Sequence, residues 1–374
     1  MIYTILLFLI TGNRTYAQAV LPVPDHIIIA ILENHSYQQI IGSEAAPNIN
    51  TLAADPHSAL FTRSFALEHP SQPNYLDLYS GSNQGVTDNG LPHVNPFFSP
   101  NLGRQLLDAG KTFITYAEDL PYTGYNGITS GNYVRKHNPV ANWMGTETNQ
   151  VPEATNQPFT AFPSADFTLL PTVSFIVPNQ VNNMHDGADP LRITLSDTWI
   201  YDNLNAFIQW AKTHNSLFIL TWDEDSYNNS NQIVTIFTGQ MVNAGEYADS
   251  VNHYDILRTI EDMYGLPYAG NAATAVPITK CWKIADGINE PGLNENSLSL
   301  YSGPHGGGLS IKIEGSGFVP VGFVEICNML GESIYKKTFN ASFPVEIDLD
   351  AIPHGVYFVR VSDGKRVFVR KVEV

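Results

Sequence analysis

Acidic and amide side chains directly follow two apolar segments of this sequence. Glu33 and Asn34 come after the apolar run at residues 25–32, and an acidic triplet at residues 223–225 comes after the run at residues 217–222. Three adjacent carboxylates behind a buried strand repel one another, so they need a cation or a basic partner. The alternative for the triplet is a helix N-terminus, whose dipole stabilises acidic groups. The predicted metal ligands are Glu33, Asn34, Asp223 and Glu224.

Two histidines are further candidates for the same site. His253 immediately precedes a predicted helix, and His185 follows an apolar run at residues 172–177. An imidazole in either place is a good metal ligand, but it can equally cap a helix or hold a loop. The residues alone leave both roles open.

Ser71 lies in a turn-rich segment, residues 69–75, in which two prolines stiffen the chain ahead of a helix predicted at residues 75–79. A hydroxyl at a helix N-terminus beside a metal can ionise and attack phosphorus, and the helix dipole favours an anionic phosphate. The alternative is an ordinary N-cap serine. The sequence has no Gly-x-Ser-x-Gly elbow, P-loop, Cys-x-x-Cys or dinucleotide glycine motif, which argues against an acyl hydrolase and a nucleotide-binding fold.

These side chains need a scaffold that brings the ends of distant apolar segments together. Four near-continuous apolar runs are typical of strands in a sheet covered on both faces: residues 25–32, 172–177, 217–222 and 233–238. Helical spacing is found at residues 197–213 and 254–264. This alternation predicts an α/β domain with helices on both faces of a largely parallel sheet. Ligands bind beyond the carboxyl ends of the strands in such sheets, so the predicted site residues converge at one edge.

The charge of the chain limits its partners. The 374 residues include 19 Lys and Arg against 36 Asp and Glu, a formal charge of −17, and the acidic excess lies entirely before residue 296. Such a surface disfavours binding to nucleic acid or to an anionic membrane. No segment is long and apolar enough to predict a membrane span.

Composition also divides the chain into domains. A short apolar run at residues 2–10 is typical of a signal peptide. The segment after residue 282 is rich in Gly, Asn and Glu, and the alternating stretches that follow, with a hairpin turn at Asp363-Gly364, predict a small β-sandwich. Whether Cys281 and Cys327, on opposite sides of the linker, form a disulfide is left open. The predicted domains are a signal peptide at 1–19, a catalytic domain at 20–282, a linker at 283–296 and a β-sandwich at 297–374.

Five ordered motifs resemble the phosphoesterase family of bacterial and fungal acid phosphatases and phosphatidylcholine-type phospholipases C. They are Glu33-Asn34-His35-Ser36-Tyr37, Ser71-Gln72-Pro73-Asn74-Tyr75, Met184-His185-Asp186-Gly187, Trp222-Asp223-Glu224 and Asn252-His253-Tyr254. The resemblance covers roughly residues 24–275 and implies the α/β/α sandwich of the alkaline-phosphatase-like superfamily. Phospholipase relatives usually carry Asp-Asp followed by Gly-Gly where this chain has Asp223 and Glu224, so the acid-phosphatase-like branch is favoured.

The resemblance implies a role for each matching residue. The implied catalytic residues are the nucleophile Ser71, Asn74 as a donor to a phosphoryl oxygen, and His185. The implied metal ligands are Glu33, Asn34, Asp223, Glu224 and His253. The implied substrate-side residues are Tyr116, Glu118, Lys136 and His137. Asn183 departs from the family pattern, since many relatives have an acidic residue there.

The end of the chain has a resemblance of its own. The segment Gly355-Val356-Tyr357-Phe358-Val359-Arg360-Val361 is similar to the type A sorting domain of the type IX secretion system of Bacteroidetes. This resemblance implies export to the cell surface or medium, with the type IX secretion machinery as a partner. It implies no part for the C-terminal domain in the chemistry.

The sequence as a whole therefore predicts a secreted, metal-dependent phosphoesterase that forms a phosphoserine intermediate. The divalent metal, Zn, Mg, Mn or Ca, and the phosphate-ester substrate are left open. One alternative is a non-catalytic secreted protein that uses the acidic strand ends to bind calcium, and another is a surface adhesin. The Ser71 and Asn74 pair favours the enzyme, because a calcium-binding protein has no need of a nucleophile.

Overall fold

The computed structural model describes residues 21–227 and 230–283, together with residues 298–305, 308–315, 322–329, 331–339, 345–348, 355–362 and 367–373. The chain divides into two compact units, residues 1–283 and 284–374. The predicted signal peptide, almost all of the predicted linker and the predicted turn at residues 363–364 lie outside the described residues. The predicted domain boundaries therefore stay predictions.

The first unit is built on an eight-stranded sheet of order β12-β2-β11-β9-β1-β8-β4-β7. Strands β9, β1, β8, β4 and β7 run parallel to one another and β12 runs parallel to β2, whereas β11 is antiparallel to both β9 and β2. Strands β3, β10 and β13 form a small second sheet, and β5 pairs with β6. The strand bounds are β1 His26–Leu32, β2 Ser58–Phe61, β3 Ser64–Phe65, β4 Phe113–Ala117, β5 Thr129–Ser130, β6 Tyr133–Val134, β7 Asn156–Pro158, β8 Val173–Val177, β9 Ser216–Trp222, β10 Gln232–Ile233, β11 Thr235–Thr238, β12 Gly245–Tyr247 and β13 Val251–Asn252.

Helices cover both faces of this sheet. The α-helices are α1 Tyr37–Ile40, α2 Pro47–Ala53, α3 Ser71–Ser80, α4 Leu102–Asp108, α5 Leu191–Ala211 and α6 His253–Tyr264. Short 3₁₀ turns occur at Arg135–His137, Pro139–Asn142, Glu153–Thr155, Phe159–Ala161, Phe167–Leu169 and Gly270–Ala273. No helix of the described residues is long and apolar enough to cross a membrane.

The alternation of side chains along β1 explains why the whole strand is apolar. Ile27, Ile29 and Ile31 pack on one face with residues of α3, α4 and α6. Ile28 and Leu32 pack on the other face with residues of α2 and α5. Successive strand residues point to opposite faces, so a strand between two helical layers must be apolar at every position. The predicted α/β/α sandwich is confirmed.

Three predicted elements differ from the observed ones. The apolar run at 233–238 is divided between β10 in the small sheet and β11 in the large sheet. Helix α5 begins at Leu191, ahead of its predicted start, and the carboxylate of Asp197 inside it accepts hydrogen bonds from the N-terminal amides of α2. Helix α3 begins at Ser71 and includes Pro73 in its first turn. Proline is tolerated there because the backbone N–H groups of the first turn have no acceptor within the helix, so the missing N–H breaks no hydrogen bond.

The second unit contains only strands among its described residues. Two antiparallel sheets have the orders β14-β15-β18 and β17-β16-β19-β20. Their strands are β14 Leu298–His305, β15 Gly308–Gly315, β16 Gly322–Asn328, β17 Ser333–Phe339, β18 Val345–Asp348, β19 Val356–Ser362 and β20 Val367–Glu373. Strands β19 and β20 pair antiparallel along their length, as predicted for the final hairpin. Cys281 and Cys327 are both free thiols.

Candidate active site

The carboxyl ends of β1 and β9 bring the two predicted acidic groups together. The strands pair in parallel register from His26 and Ser216 to Leu32 and Trp222, so Glu33 and Asp223 leave the sheet side by side. The Asn34 amide donates a hydrogen bond of 2.9 Å to Asp223 Oδ1. Asn34 has φ of 52°, a left-handed conformation that asparagine adopts more readily than most residues.

Ser71 faces these carboxylates. Its Oγ lies 3.0 Å from Glu33 Oε2 and 3.1 Å from Glu224 Oε1, and 3.5 Å from Asn34 Oδ1. Pro70 occupies the N-cap position of α3, and no side chain caps this helix. Ser71 is the first residue of the helix and its hydroxyl is turned toward the strand ends rather than toward the helix amides.

The carboxylates of Glu33, Asp223 and Glu224 are almost fully buried, and their surroundings shift the pKa of each. Burial, followed by the charges of Glu33 and Glu224, raises the pKa of Asp223 well above its usual value. Burial also raises the pKa of Glu224, although a hydrogen bond from His69 opposes it. Burial would raise the pKa of Glu33 too, but the neighbouring His137 imidazole and the Tyr75 hydroxyl outweigh it and lower that pKa to about 2. Like charges held this close favour a bound cation.

Three buried atoms next to these carboxylates have no hydrogen-bond partner among the described residues, and one of them, His137 Nε2, lies 3.1 Å from Glu33 Oε2 without hydrogen-bond geometry. Asp223 Oδ2 lacks any hydrogen-bond partner among the described residues, and so does His253 Nδ1. His253 Nε2 donates to the carbonyl oxygen of Trp222 at 2.9 Å, and burial lowers the pKa of its imidazole to about 4, which keeps the ring neutral. Metal-binding histidines commonly have one ring nitrogen on a carbonyl and the other directed at the metal. Asn252, not His253, caps helix α6.

A second cluster lies on the other side of Glu33. One ligand atom from each of Glu33, His137 and His185 lies within 4.8 Å of the others. His137 Nε2 is 3.1 Å from Glu33 Oε2, and Lys136 Nζ is 3.0 Å from His185 Nε2. Lys136 and His137, both predicted on the substrate side, therefore meet His185 beside the Ser71 site.

Asn183 determines which nitrogens of this cluster carry protons. Its Oδ1 accepts a hydrogen bond from the His185 amide at 2.9 Å, so its Nδ2 faces His137 Nδ1 at 3.2 Å. His137 Nδ1 then accepts, and the proton of the neutral ring is on Nε2, toward Glu33. His185 Nδ1 lies 2.7 Å from Asp186 Oδ1, which leaves Nε2 to accept from Lys136.

Asn74 is engaged in the turn that precedes Ser71. Its Oδ1 accepts from the amides of Leu67 and Glu68 at 3.1 and 3.0 Å, and its Nδ2 donates to the carbonyl oxygens of Glu68 and Pro70 at 2.9 and 3.4 Å. Both polar atoms of the amide are occupied. The structure therefore places Asn74 as a brace for the Ser71 turn and not as a free donor to a phosphoryl oxygen.

Glu118 and Tyr116 are likewise engaged away from Ser71. Glu118 accepts hydrogen bonds from the Asn179 amide, Asn182 Nδ2 and Trp199 Nε1, so it ties the end of β4 to the loop after β8 and to α5. Tyr116 is buried edge-on against Phe162 in the core. Both residues were expected on the substrate side, and their contacts are structural.

Two residues of the site were not assigned by the sequence. Tyr75 donates its hydroxyl proton to Glu33 Oε1, and His69 Nδ1 contacts Glu224 Oε2. Tyr75 lies four residues after Ser71 on α3, so helical spacing placed it on the same face and could have identified it. His69 stacks on Tyr227 at a centroid distance of 3.9 Å, and only its position two residues before Ser71 hinted at this role.

Two family models match this chain. The Phosphoesterase family matches residues 43–267, and the Secretion system C-terminal sorting domain matches residues 299–374. The first match includes Ser71 and Asp223, whereas Glu33 lies before its start. Both resemblances drawn from the motifs are confirmed.

The chain is also similar to individual phosphatases and to a solved structure. It is 45% identical over 267 residues to the phosphatidylinositol-3-phosphatase of Mycobacterium tuberculosis, which covers 71% of this chain and 85% of that relative. It is 29% identical over 262 residues to the phosphate-repressible acid phosphatase of Penicillium chrysogenum, covering 66% of this chain and only 60% of the fungal protein. A solved structure of an alkaline phosphatase superfamily protein from Vibrio parahaemolyticus is similar with a TM-score of 0.47 and 10% identity, covering 95% of this chain and 83% of that one.

Proposed function

Because this chain belongs to the phosphoesterase family, we propose that it hydrolyses phosphate esters in a metal-dependent reaction through a phosphoserine at Ser71. The observation that carries the proposal is the position of the Ser71 hydroxyl. It is buried at the start of α3, within 3.1 Å of an oxygen of Glu33 and of Glu224. A serine in this position can donate only one hydrogen bond, yet its hydroxyl faces two carboxylates, and a nucleophile needs such an acceptor for its proton.

The donor set fits a single divalent cation. Glu33, Asn34, Asp223 and Glu224 supply oxygen atoms, and the buried, unpartnered atoms Asp223 Oδ2 and His253 Nδ1 are of the type that bind metal. When bound, the cation would lower the pKa of the Ser71 hydroxyl and offset charge on the phosphoryl oxygens. Carboxylate and amide oxygens favour Mg, Mn or Ca, and the imidazole shifts the preference toward Zn.

The contacts of His137 and His185 argue against a second cation at this cluster. His137 Nδ1 faces Asn183 Nδ2, and His185 Nε2 faces Lys136 Nζ, so each imidazole has its lone pair directed at a donor. The ammonium of Lys136 also places a positive charge where a second cation would bind. We therefore propose that Lys136, positioned by His185, contacts the phosphoryl oxygens.

The steps of ester hydrolysis can be assigned to particular groups of this chain. Ser71 Oγ, which faces Glu33 Oε2 and Glu224 Oε1, attacks phosphorus, and the proton that it gives up passes on to the departing ester oxygen. The bond from phosphorus to the ester oxygen breaks, and the alcohol leaves with a proton. Water then hydrolyses the phosphoserine, so that the sum is ester plus water giving alcohol plus phosphate. The N-terminus of α3 stabilises the anionic phosphate throughout.

Substrate and export follow from the relatives and from the second unit. The names of the similar proteins, a phosphatidylinositol-3-phosphatase and an acid phosphatase, favour phosphate monoesters as substrates. The C-terminal sorting domain indicates export, and we propose that the type IX secretion machinery recognises it. Export of this kind also requires the signal peptide predicted at residues 1–19.

Metal removal and reloading test the proposed function. The full chain is stripped with a chelator, checked by elemental analysis, and reloaded separately with Mg, Mn, Ca or Zn. Phosphate release from monoesters should fall at least about 100-fold on stripping and return with one equivalent of the correct metal. Diesters serve as the comparison substrates. A metal-free protein that keeps its full rate, or a reloaded protein that hydrolyses no phosphate ester, would contradict the proposal.

The second unit is expected to be dispensable for turnover. All proposed ligands and catalytic residues lie in the first unit, residues 1–283. Deleting residues 291–374 should therefore leave the rate per metal-loaded active site within about twofold, because no contact to the reacting atoms is removed. Active sites are counted from metal content and folding is checked by thermal unfolding. A much larger loss in a folded, metal-loaded fragment would contradict this assignment.

A further inference from the structure

A cavity of about 290 Å³ lies beside the turn that carries Ser71. Gln72, the residue after the nucleophile, forms part of its wall, and Lys136, whose Nζ contacts His185, forms another part. The cavity is thus bounded by residues next to the nucleophile and next to the cationic cluster. No residue predicted from the sequence to bind substrate, other than Lys136, lines it.

The cavity has an apolar entrance. Leu91 and Ile128 line it and are 49% and 61% exposed, and Val134 contributes a further apolar side chain. Single exposed apolar side chains are common on protein surfaces. Two large ones on a single cavity next to a nucleophile form a surface that can contact the hydrocarbon part of a ligand.

Several polar groups in the walls are already hydrogen-bonded within the protein, although Arg135 Nε has no partner among the described residues. Gln72 Nε2 donates to the carbonyl oxygens of Asp88 and Gly90 at 3.1 and 2.7 Å, and Asn89 Oδ1 accepts from the Gln72 amide at 3.0 Å. Arg135 is 4% exposed, and its two terminal nitrogens are bound to neutral oxygens of other segments. An alkyl or aryl group in contact with Leu91, Ile128 and Val134 would lose only water contacts, whereas a fully polar group would give up hydration against those side chains.

We propose that this cavity binds the leaving group of the phosphate ester, and that it favours leaving groups with an alkyl or aryl part over fully polar ones such as glycerol. The inference rests on the proposed function, since a leaving group exists only if Ser71 attacks a phosphate ester. Lys136 lines the cavity and contacts the phosphoryl oxygens, while Leu91 and Ile128 contact the carbon atoms beyond the ester oxygen. Leu91 and Ile128 are specificity-determining residues in this arrangement.

The test compares three monoesters on the full, metal-loaded chain: hexyl phosphate, 1-naphthyl phosphate and glycerol phosphate. The parent should hydrolyse at least one of the apolar esters with kcat/KM about tenfold or more above that for glycerol phosphate. The double variant Leu91→Asn and Ile128→Thr makes the entrance polar. It should lower kcat/KM about tenfold for the preferred apolar ester and less than twofold for glycerol phosphate. Both side chains are exposed, so the melting temperature should not change.

Leu169 provides a matched control, because it is 71% exposed on the 3₁₀ turn Phe167–Leu169 and does not line the cavity. Leu169→Asn should leave all three values unchanged. A loss in the double variant on the hexyl ester, the naphthyl ester or both, with glycerol phosphate little changed, supports the inference and identifies the leaving group as alkyl, aryl or either. Equal rates on all three esters, or an equal loss on all three in the double variant, would overturn the inference while the proposed function stands. Failure to hydrolyse any ester overturns both.

Discussion

Replacing Ser71 with alanine is expected to lower phosphate-ester turnover by roughly three orders of magnitude or more, because the covalent route is lost. The Ser71 hydroxyl lies against Glu33 and Glu224 and caps no helix, so removing it should leave the fold and the metal content unchanged. If Ser71 were a structural N-cap, the variant would instead lose about 1 kcal/mol of stability and keep most of its activity. Activity, metal content and melting temperature measured on one sample separate the two roles.

Ser216 offers a matched control for this substitution. It is buried at the beginning of β9, at the opposite edge of the sheet, and its Oγ has no hydrogen-bond partner within the described part of the chain. Ser216→Ala should hydrolyse esters at close to the parent rate. In the parent, attack by Ser71 followed by attack of water gives two inversions, so a chiral phosphate ester should react with net retention at phosphorus. A Ser71→Ala variant that works near the parent rate, or net inversion in the parent, would point to direct attack by water.

Replacing Asp223 with asparagine is expected to reduce metal affinity and turnover by at least about 100-fold. Changes to groups that merely support a metal ligand already lower affinity 10- to 100-fold, and Asp223 is proposed as a ligand itself. The metal-free variant should be no less stable than the metal-free parent, because burial and the charges of Glu33 and Glu224 raise the pKa of Asp223 well above its usual value. Removing that carboxylate relieves a repulsion. Elemental analysis after dialysis and thermal unfolding without metal are the two measurements.

Asp77 is the control for this experiment. It is also fully buried with one oxygen unpartnered among the described residues, and burial raises its pKa to about 7. Its other oxygen accepts a hydrogen bond of 2.8 Å from the Tyr254 hydroxyl, and the side-chain oxygen of an asparagine can accept the same bond. Asp77→Asn should keep the parent metal content. If Asp223→Asn also retains full metal occupancy with unchanged affinity, Asp223 is a structural residue and the strand-end acids are not the metal centre.

The sequence by itself determined the scaffold and the centre of the site. A run such as residues 25–32 can be apolar at every position only if both faces of the strand are covered, which is why a sandwiched sheet could be predicted before any pairing was known. Once β1 and β9 are placed in such a sheet, the residues directly after them must share one edge, and Glu33, Asp223 and Glu224 meet there. These inferences depend on local periodicity and chain order alone.

Only the tertiary structure decided what each surrounding side chain does. Asn74 and Glu118 are polar residues near the predicted site, yet backbone and side-chain groups of neighbouring segments saturate their hydrogen-bonding atoms. His137, expected on the substrate side, instead reaches Glu33, and Asn183 sets its proton position. A buried polar atom bonds to whatever partner the folded loops bring within about 3 Å, and that partner is often many residues away along the chain. Residue type and spacing therefore indicate which chemistry is available, while loop packing determines which side chains are free to perform it.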